Sequence, residues 1–132
     1  MDIQNYISDA IYIRKSKSRG RGVFALADLE KETVIEIAPV IVMSSKDREL
    51  IDRTLLHDYI FEWGKKRDEC CLALGYVSLY NHSYQSNCEY EMNFKKHLIA
   101  VKTIRAVKAG EELFINYNGE WNNAKPLWFA AK

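Results

Sequence analysis

The chain has 132 residues, 48% hydrophobic and 28% charged, with 19 Lys plus Arg against 18 Asp plus Glu and a net charge of +1. That length suits one domain burying about two-thirds of its unfolded surface, the apolar content excludes a disordered chain, and the near-neutral balance argues against a protein built to bind bulk nucleic acid. No apolar run approaches the roughly 20 residues of a membrane span, and the start "MDIQNYISDA" has no basic stretch followed by an apolar core, so no secretory signal is expected.

Taken in order, "IYIRKS" (11–16) reads as a short strand and "KSKSRGRG" (15–22) as a basic turn containing glycine. Within 23–44 the β-branched runs "TVIEIA" and "VIVM" flank Pro39, which predicts two short strands broken at the proline. "SSKDRELIDRTLL" (44–56) is the best helix candidate, with Ser44 as N-cap and Asp47 three residues on as a partial capping box. "DYIFEW" (58–63) and "ECCLAL" (69–74) predict a hairpin turning at "GKKRD".

The stretch "LYNHSYQSNCEYE" (79–91) is polar, lacks a helical period and is either a solvated loop or a site. Three more strands follow, "CEYEMN" (88–93), "HLIAVK" (97–102) and "ELFINY" (112–117), separated by "NFKKH" and by "AVKAGEE" with Gly110. Short strands with one or two short helices point to a β-rich fold rather than a layered parallel one. The three cysteines, Cys70, Cys71 and Cys88, are odd in number and contain no C-x-x-C pair. They read as reduced thiols of an intracellular chain without a bound metal.

Four features remain: "SRGRGVFA" (18–25), "LGYVSLYNHSYQSNC" (74–88), "IRAVKAGEELFINYNGEW" (104–121), and the C-terminal aromatics Trp121, Trp128 and Phe129. Singly they are ordinary: a glycine turn, an Asn/Ser turn, a half-buried tyrosine. In this order and spacing the chain resembles the SET-domain family of protein lysine methyltransferases over about residues 11–121. It would be a single minimal domain spanning 1–132, with 122–132 as an aromatic tail and no cysteine-rich flanking modules.

The resemblance implies a mostly β, β-clip-like fold of several small curved sheets with short helices. A pseudoknot would bring Gly22, Asn81 and Tyr117 to one site. It implies transfer of a methyl group from S-adenosylmethionine to the ε-amine of a lysine, with S-adenosylhomocysteine as product. The substrate would be a basic protein or tail such as a histone, mono- or dimethylated. Tyr117 would be the central residue and Tyr90 would limit the number of methyls. Gly20, Arg21, Gly22, Asn81, His82, Tyr117 and Trp121 would hold the cofactor, and Tyr80, Tyr90, Ile115 and Trp128 would line the lysine channel. His82 takes a structural hydrogen-bonding role rather than an acid–base one.

Ser86 stands where the family carries a proline, Asn116 where an aspartate is common, and Asn118 precedes Gly119 after the tyrosine. The aromatic tail is the candidate lid. Glu62, Asp68, Glu69, Glu89, Glu91, Glu111 and Glu112 are available to face a basic tail. The expected partner is a protein or peptide with an exposed lysine, with no direct nucleic acid and no membrane. A homodimer and a nuclear or cytoplasmic location both stay open. The competing reading is a SET fold that docks a peptide without catalysis.

Overall fold

Residues 3–117 are described by a computed structural model. Ten strands and one α-helix follow in order: β1 Tyr6–Ile7, β2 Ile11–Lys15, β3 Arg21–Ala25, β4 Val34–Met43, α1 Ser45–Ile51, β5 Phe61–Trp63, β6 Glu69–Ala73, β7 Asn81–His82, β8 Cys88–Asn93, β9 Leu98–Thr103 and β10 Glu112–Ile115. Short 3-10 turns at Leu55–Asp58 and Val77–Leu79 complete the described elements. One sheet runs β5-β6-β4-β9-β8, with β1 also paired to β4, and the other runs β2-β3-β10-β7. The mostly β fold expected from the sequence is the one found.

The break expected at Pro39 is absent: β4 is a single strand of 10 residues. A proline removes a ladder donor, but here the gap falls at a seam between two ladders. Up to Pro39, which lies opposite Leu98, β4 pairs with β9. From Val40, which lies opposite Ala73, it pairs with β6. Val40 N–H donates to the His97 carbonyl at 3.0 Å, and the Pro39 carbonyl accepts from Leu74 N–H at 3.0 Å. The proline thus marks where one strand changes partners.

Helix α1 is capped as its sequence predicts. Ser44 Oγ accepts from Asp47 N–H at 3.2 Å, and Asp47 Oδ2 accepts from Ser44 N–H at 3.2 Å. It ends at Ile51, short of the predicted Leu56, and none of its residues is buried. With no apolar face packed, little tertiary energy extends it, and Thr54 instead caps the 3-10 turn. The core gathers alternating inward residues of both sheets, among them Val23, Ile35, Ile99, Val101, Leu113 and Ile115, all fully buried. Burying such side chains contributes roughly 1.5–3 kcal/mol each.

Candidate active site

Strand β10 lies between β3 and β7. It pairs antiparallel with β3 (Glu112 opposite Phe24) and parallel with β7 (Phe114 opposite Asn81, Ile115 opposite His82). This topology joins the glycine turn, the Asn-His pair and the tyrosine at the end of "ELFINY". Asn81 Nδ2 donates to Glu112 Oε2 at 2.7 Å and to the Arg21 carbonyl at 3.3 Å. Gly22 lies under that contact. A Cβ there would stand 2.5 Å from Glu112 Oε2 and 2.9 Å from Asn81 Nδ2, so close approach requires the glycine.

The segment after β7 exposes Tyr84 and Gln85 and then turns into the core: Ser86 and Asn87 are 0% and 4% exposed. Asn87 stands in for a neighbouring strand. Its Nδ2 donates to the Glu112 carbonyl at 2.9 Å and its Oδ1 accepts from Phe114 N–H at 2.8 Å. Where the family carries proline, Ser86 offers a carbonyl that accepts from the Arg105 guanidinium at 2.7 Å.

Tyr117 is fixed at three points. Its hydroxyl donates to the Tyr80 carbonyl at 2.6 Å, its N–H donates to His82 Nδ1 at 3.1 Å, and its carbonyl accepts from the Tyr90 hydroxyl at 3.2 Å. Burial pushes the Tyr117 phenol up to about 12, against the pull of the nearby Arg19 cation. The group is therefore a neutral donor and acceptor at physiological pH. Burial, and then Arg19, hold His82 below the ordinary imidazole value. Because Nδ1 accepts a backbone N–H, the ring proton is assigned to Nε2. Nε2 is buried with no hydrogen-bond partner among the described residues. Arg19 Nη1 donates to the His82 carbonyl, and its guanidinium lies 5.5 Å over the Phe114 ring.

Gly22, Asn81, His82, Tyr90 and Tyr117 therefore come together. Gly20 does not join them by contact. It closes the β2–β3 turn at φ +70°, with open space where a Cβ would go. The Arg21 side chain is exposed, so Arg21 contributes its carbonyl and the guanidinium that reaches the site is Arg19's.

Two of the expected channel residues sit in the core. Tyr80 is fully buried with its hydroxyl on Glu36 Oε1 at 3.0 Å and its carbonyl on the Tyr117 hydroxyl. Ile115 is fully buried in the same core cluster. Tyr90 packs edge-on against Phe61, ring centroids 5.3 Å apart. The roles expected of Trp121, Trp128 and the tail lie outside the described residues.

Several acidic candidates have other partners. Glu62 meets Arg48 at 3.0 Å, and Glu89 and Glu91 meet Lys102 at 3.4 and 3.9 Å. Glu112 is engaged with Asn81. Among the described residues no group of three or more His, Cys, Asp and Glu is placed to hold a metal ion, and no helix is long and apolar enough to cross a membrane. Sequence reasoning missed Arg19, Glu36 and the amide-holding role of Glu112. The one available signal was "RGRG", which sets two arginines around Gly20.

A family model described as the SET domain matches residues 20–118. A Schizosaccharomyces pombe protein named histone-lysine N-methyltransferase, H3 lysine-37 specific, is 34% identical over 124 residues, 93% of this chain and 79% of the relative. The Halocynthia roretzi histone-lysine N-methyltransferase SETD7 is 26% identical over 96% of this chain, which spans 38% of that protein's length. Among solved structures, a Plasmodium falciparum candidate histone methyltransferase superposes with a TM-score of 0.66 at 30% identity, covering 87% of this chain and 98% of that one. The Chaetomium thermophilum Polycomb Repressive Complex 2 bound to S-adenosylmethionine shares the fold, with a TM-score of 0.68 at 22% identity over 82% of this chain and 15% of that one.

Proposed function

Because the chain belongs to the SET-domain family and is a protein-lysine N-methyltransferase, we propose that it takes its methyl group from S-adenosylmethionine and adds one or two methyls to a lysine of a basic, histone-type protein. The observation that carries the reading is the threefold fixing of Tyr117 against Tyr80, His82 and Tyr90.

The residues fit that donor. Its methionine end carries an ammonium and a carboxylate. Glu112, held by Asn81 at Gly22, offers the acceptor, Arg19 offers the cation, and His82 Nε2–H is a buried donor without a partner among the described residues. Bound there, S-adenosylmethionine supplies an electrophilic methyl group.

The chain's own residues supply position and desolvation. A free lysine has a pKa near 10.4, so near pH 7.4 about one in a thousand is neutral, a penalty of roughly 4 kcal/mol. Burial beside aromatic rings such as Tyr90 and Phe61 favours the neutral amine. Tyr117 is no base, because its proton is held to about 12 and is directed at the Tyr80 carbonyl. Its oxygen keeps lone pairs that accept an amine N–H and aim the nitrogen. His82 holds Tyr117 through Nδ1 and keeps its own proton, and the lysine proton leaves to solvent.

The test is to incubate the protein with labelled S-adenosylmethionine and core histones beside other basic proteins, then locate labelled lysines by mass spectrometry. Transfer to a histone lysine that depends on Tyr117 is expected. Folded protein that binds the cofactor and labels no lysine would overturn the reading in favour of a peptide-docking module.

A further inference from the structure

Glu36 is a carboxyl group with 0% exposure in the centre of β4. Its strand neighbours in register are Ile7 and Val101, neither of which carries charge. Oε1 accepts from the Tyr80 hydroxyl at 3.0 Å and Oε2 accepts from Tyr76 N–H at 2.7 Å. The chain is shaped to admit it: Gly75 has φ +75°, and a Cβ there would stand 2.4 Å from Glu36 Oε2. An apolar side chain of similar volume fills a core at less cost than a carboxylate. Packing alone therefore gives no reason for an acid here.

The reason lies one residue further along the network. Tyr80 is fully buried and held at both ends, its hydroxyl on Glu36 and its carbonyl on the Tyr117 hydroxyl at 2.6 Å. We propose that Glu36 is a positioning residue for the lysine site, fixing Tyr80 and through its carbonyl the Tyr117 hydroxyl; this rests on the methyltransferase reading above.

The linkage responds to proton uptake. Burial pushes Glu36 up to about 7, against the two donors Tyr76 N–H and Tyr80 O–H. Tyr80 itself is pushed up by burial and stays neutral. The Cys88 thiol near Tyr80 is held up at about 12, and Lys102, beside Val101, is engaged with Glu32, Glu89 and Glu91. Tyr76 N–H occupies Oε2, so a proton taken up by Glu36 goes to Oε1. The Tyr80 hydroxyl must then turn from donor to acceptor, which changes the anchoring of the residue whose backbone carbonyl accepts from Tyr117.

Glu36→Gln and Tyr80→Phe test this, with tyrosine-¹³C NMR as a readout independent of turnover and Tyr117→Phe to assign the Tyr117 signal. In the unmodified protein that signal should show a step near pH 7, following Glu36; in Glu36→Gln that step should vanish, leaving only the response to His82 at lower pH. Glu36→Gln should lower kcat about tenfold and flatten its pH profile, while the dissociation constant for S-adenosylmethionine stays within about twofold. Tyr80→Phe keeps the acid and cuts the link. It should show the same loss and the same missing step near pH 7 in the Tyr117 signal, and it carries the test if Glu36→Gln does not fold. A folded variant of either kind with unchanged kcat and an unchanged Tyr117 titration would overturn the proposal and leave the methyltransferase reading intact. A Tyr117 signal that follows Glu36 in a protein that transfers no methyl would overturn the methyltransferase reading instead.

Discussion

The hydroxyl of Tyr117 donates at 2.6 Å to the carbonyl of Tyr80, a residue 37 positions earlier in the chain. The Tyr117 ring stays packed on His82, centroids 5.1 Å apart, whether or not that hydroxyl is present. Tyr117→Phe should therefore keep its melting midpoint within a few degrees and its cofactor affinity within about twofold. Losing the oxygen that aims the amine should lower kcat by about 10²–10³-fold. Steady-state kinetics beside calorimetric titration of S-adenosylmethionine reads both quantities. A variant with full kcat would remove Tyr117 from the site.

Tyr90 is 9% exposed and its hydroxyl donates to the Tyr117 carbonyl at 3.2 Å. The expectation that Tyr90 limits the number of methyls rests on that hydroxyl, while Ile115 is fully buried in the core. Tyr90→Phe deletes one hydroxyl, costs about 1 kcal/mol of stability, and opens room for another methyl. Mass spectrometry of a substrate peptide should show products shifting from monomethyl- toward dimethyl-lysine. Trimethyl-lysine made by the unmodified protein in a single encounter would refute the steric argument.

Gly22 has Glu112 Oε2 and Asn81 Nδ2 at 2.5 and 2.9 Å from the position of a Cβ. Both atoms are ends of side chains, so Gly22→Ala should push the acid and the amide aside and leave the strand in place. The expected result is at least about a tenfold loss of cofactor affinity with a melting midpoint lowered by only a few degrees. A large fall in melting temperature at unchanged affinity would make Gly22 a packing residue only.

What the sequence reveals of this site depends on whether a role belongs to a side chain or to the backbone. Gly22, Asn81, His82 and Tyr117 make their contacts through their own chemical type, and their motifs point to them. Tyr80 and Arg21 meet this cluster through carbonyls, a contact any residue can make, so residue identity does not announce it. Arg19 and Glu112 are ordinary surface charges until β10 is inserted between β3 and β7. Strands β1 and β7 are two residues long, too short to show alternation. Pro39 reads as a break because nothing local announces that β4 changes partners there. Glu36 lies in the β-branched run "TVIEIA", and no local signal shows that its carboxyl is fully buried against Tyr76 and Tyr80, 40 and 44 residues further on.

Asn87 should carry stability rather than chemistry. Its amide replaces a strand neighbour on both sides of Leu113, donating to the Glu112 carbonyl and accepting from Phe114 N–H. Asn87→Ala leaves two partly buried backbone groups without those bonds, a loss of about 2–4 kcal/mol. Asn87→Asp keeps the acceptor but loses the donor and sets a negative oxygen beside the Glu112 carbonyl, so it should not rescue. Urea unfolding of the variants measures this. Loss of activity in Asn87→Ala without loss of stability would place Asn87 among the binding residues.

The buried acid also makes a thermodynamic prediction that needs no substrate. Folding moves Glu36 from the ordinary 4.5 to about 7. The folded chain then binds this proton more tightly than the unfolded chain. Its stabilising contribution is complete below about pH 4.5 and is lost as pH rises through about 7, by about 3 kcal/mol at most. His82 works the other way: its lowered value favours folding at higher pH and weakens it as pH falls through the imidazole range. The bare pH profile of the protein therefore mixes opposite slopes. The difference between the unmodified chain and Glu36→Gln cancels the His82 contribution, since the two proteins share it. Stability differences from urea unfolding should favour the unmodified chain progressively more from pH 8 down to pH 5. Parallel profiles across that range would mean that Glu36 ionises in the folded core as freely as in the unfolded chain.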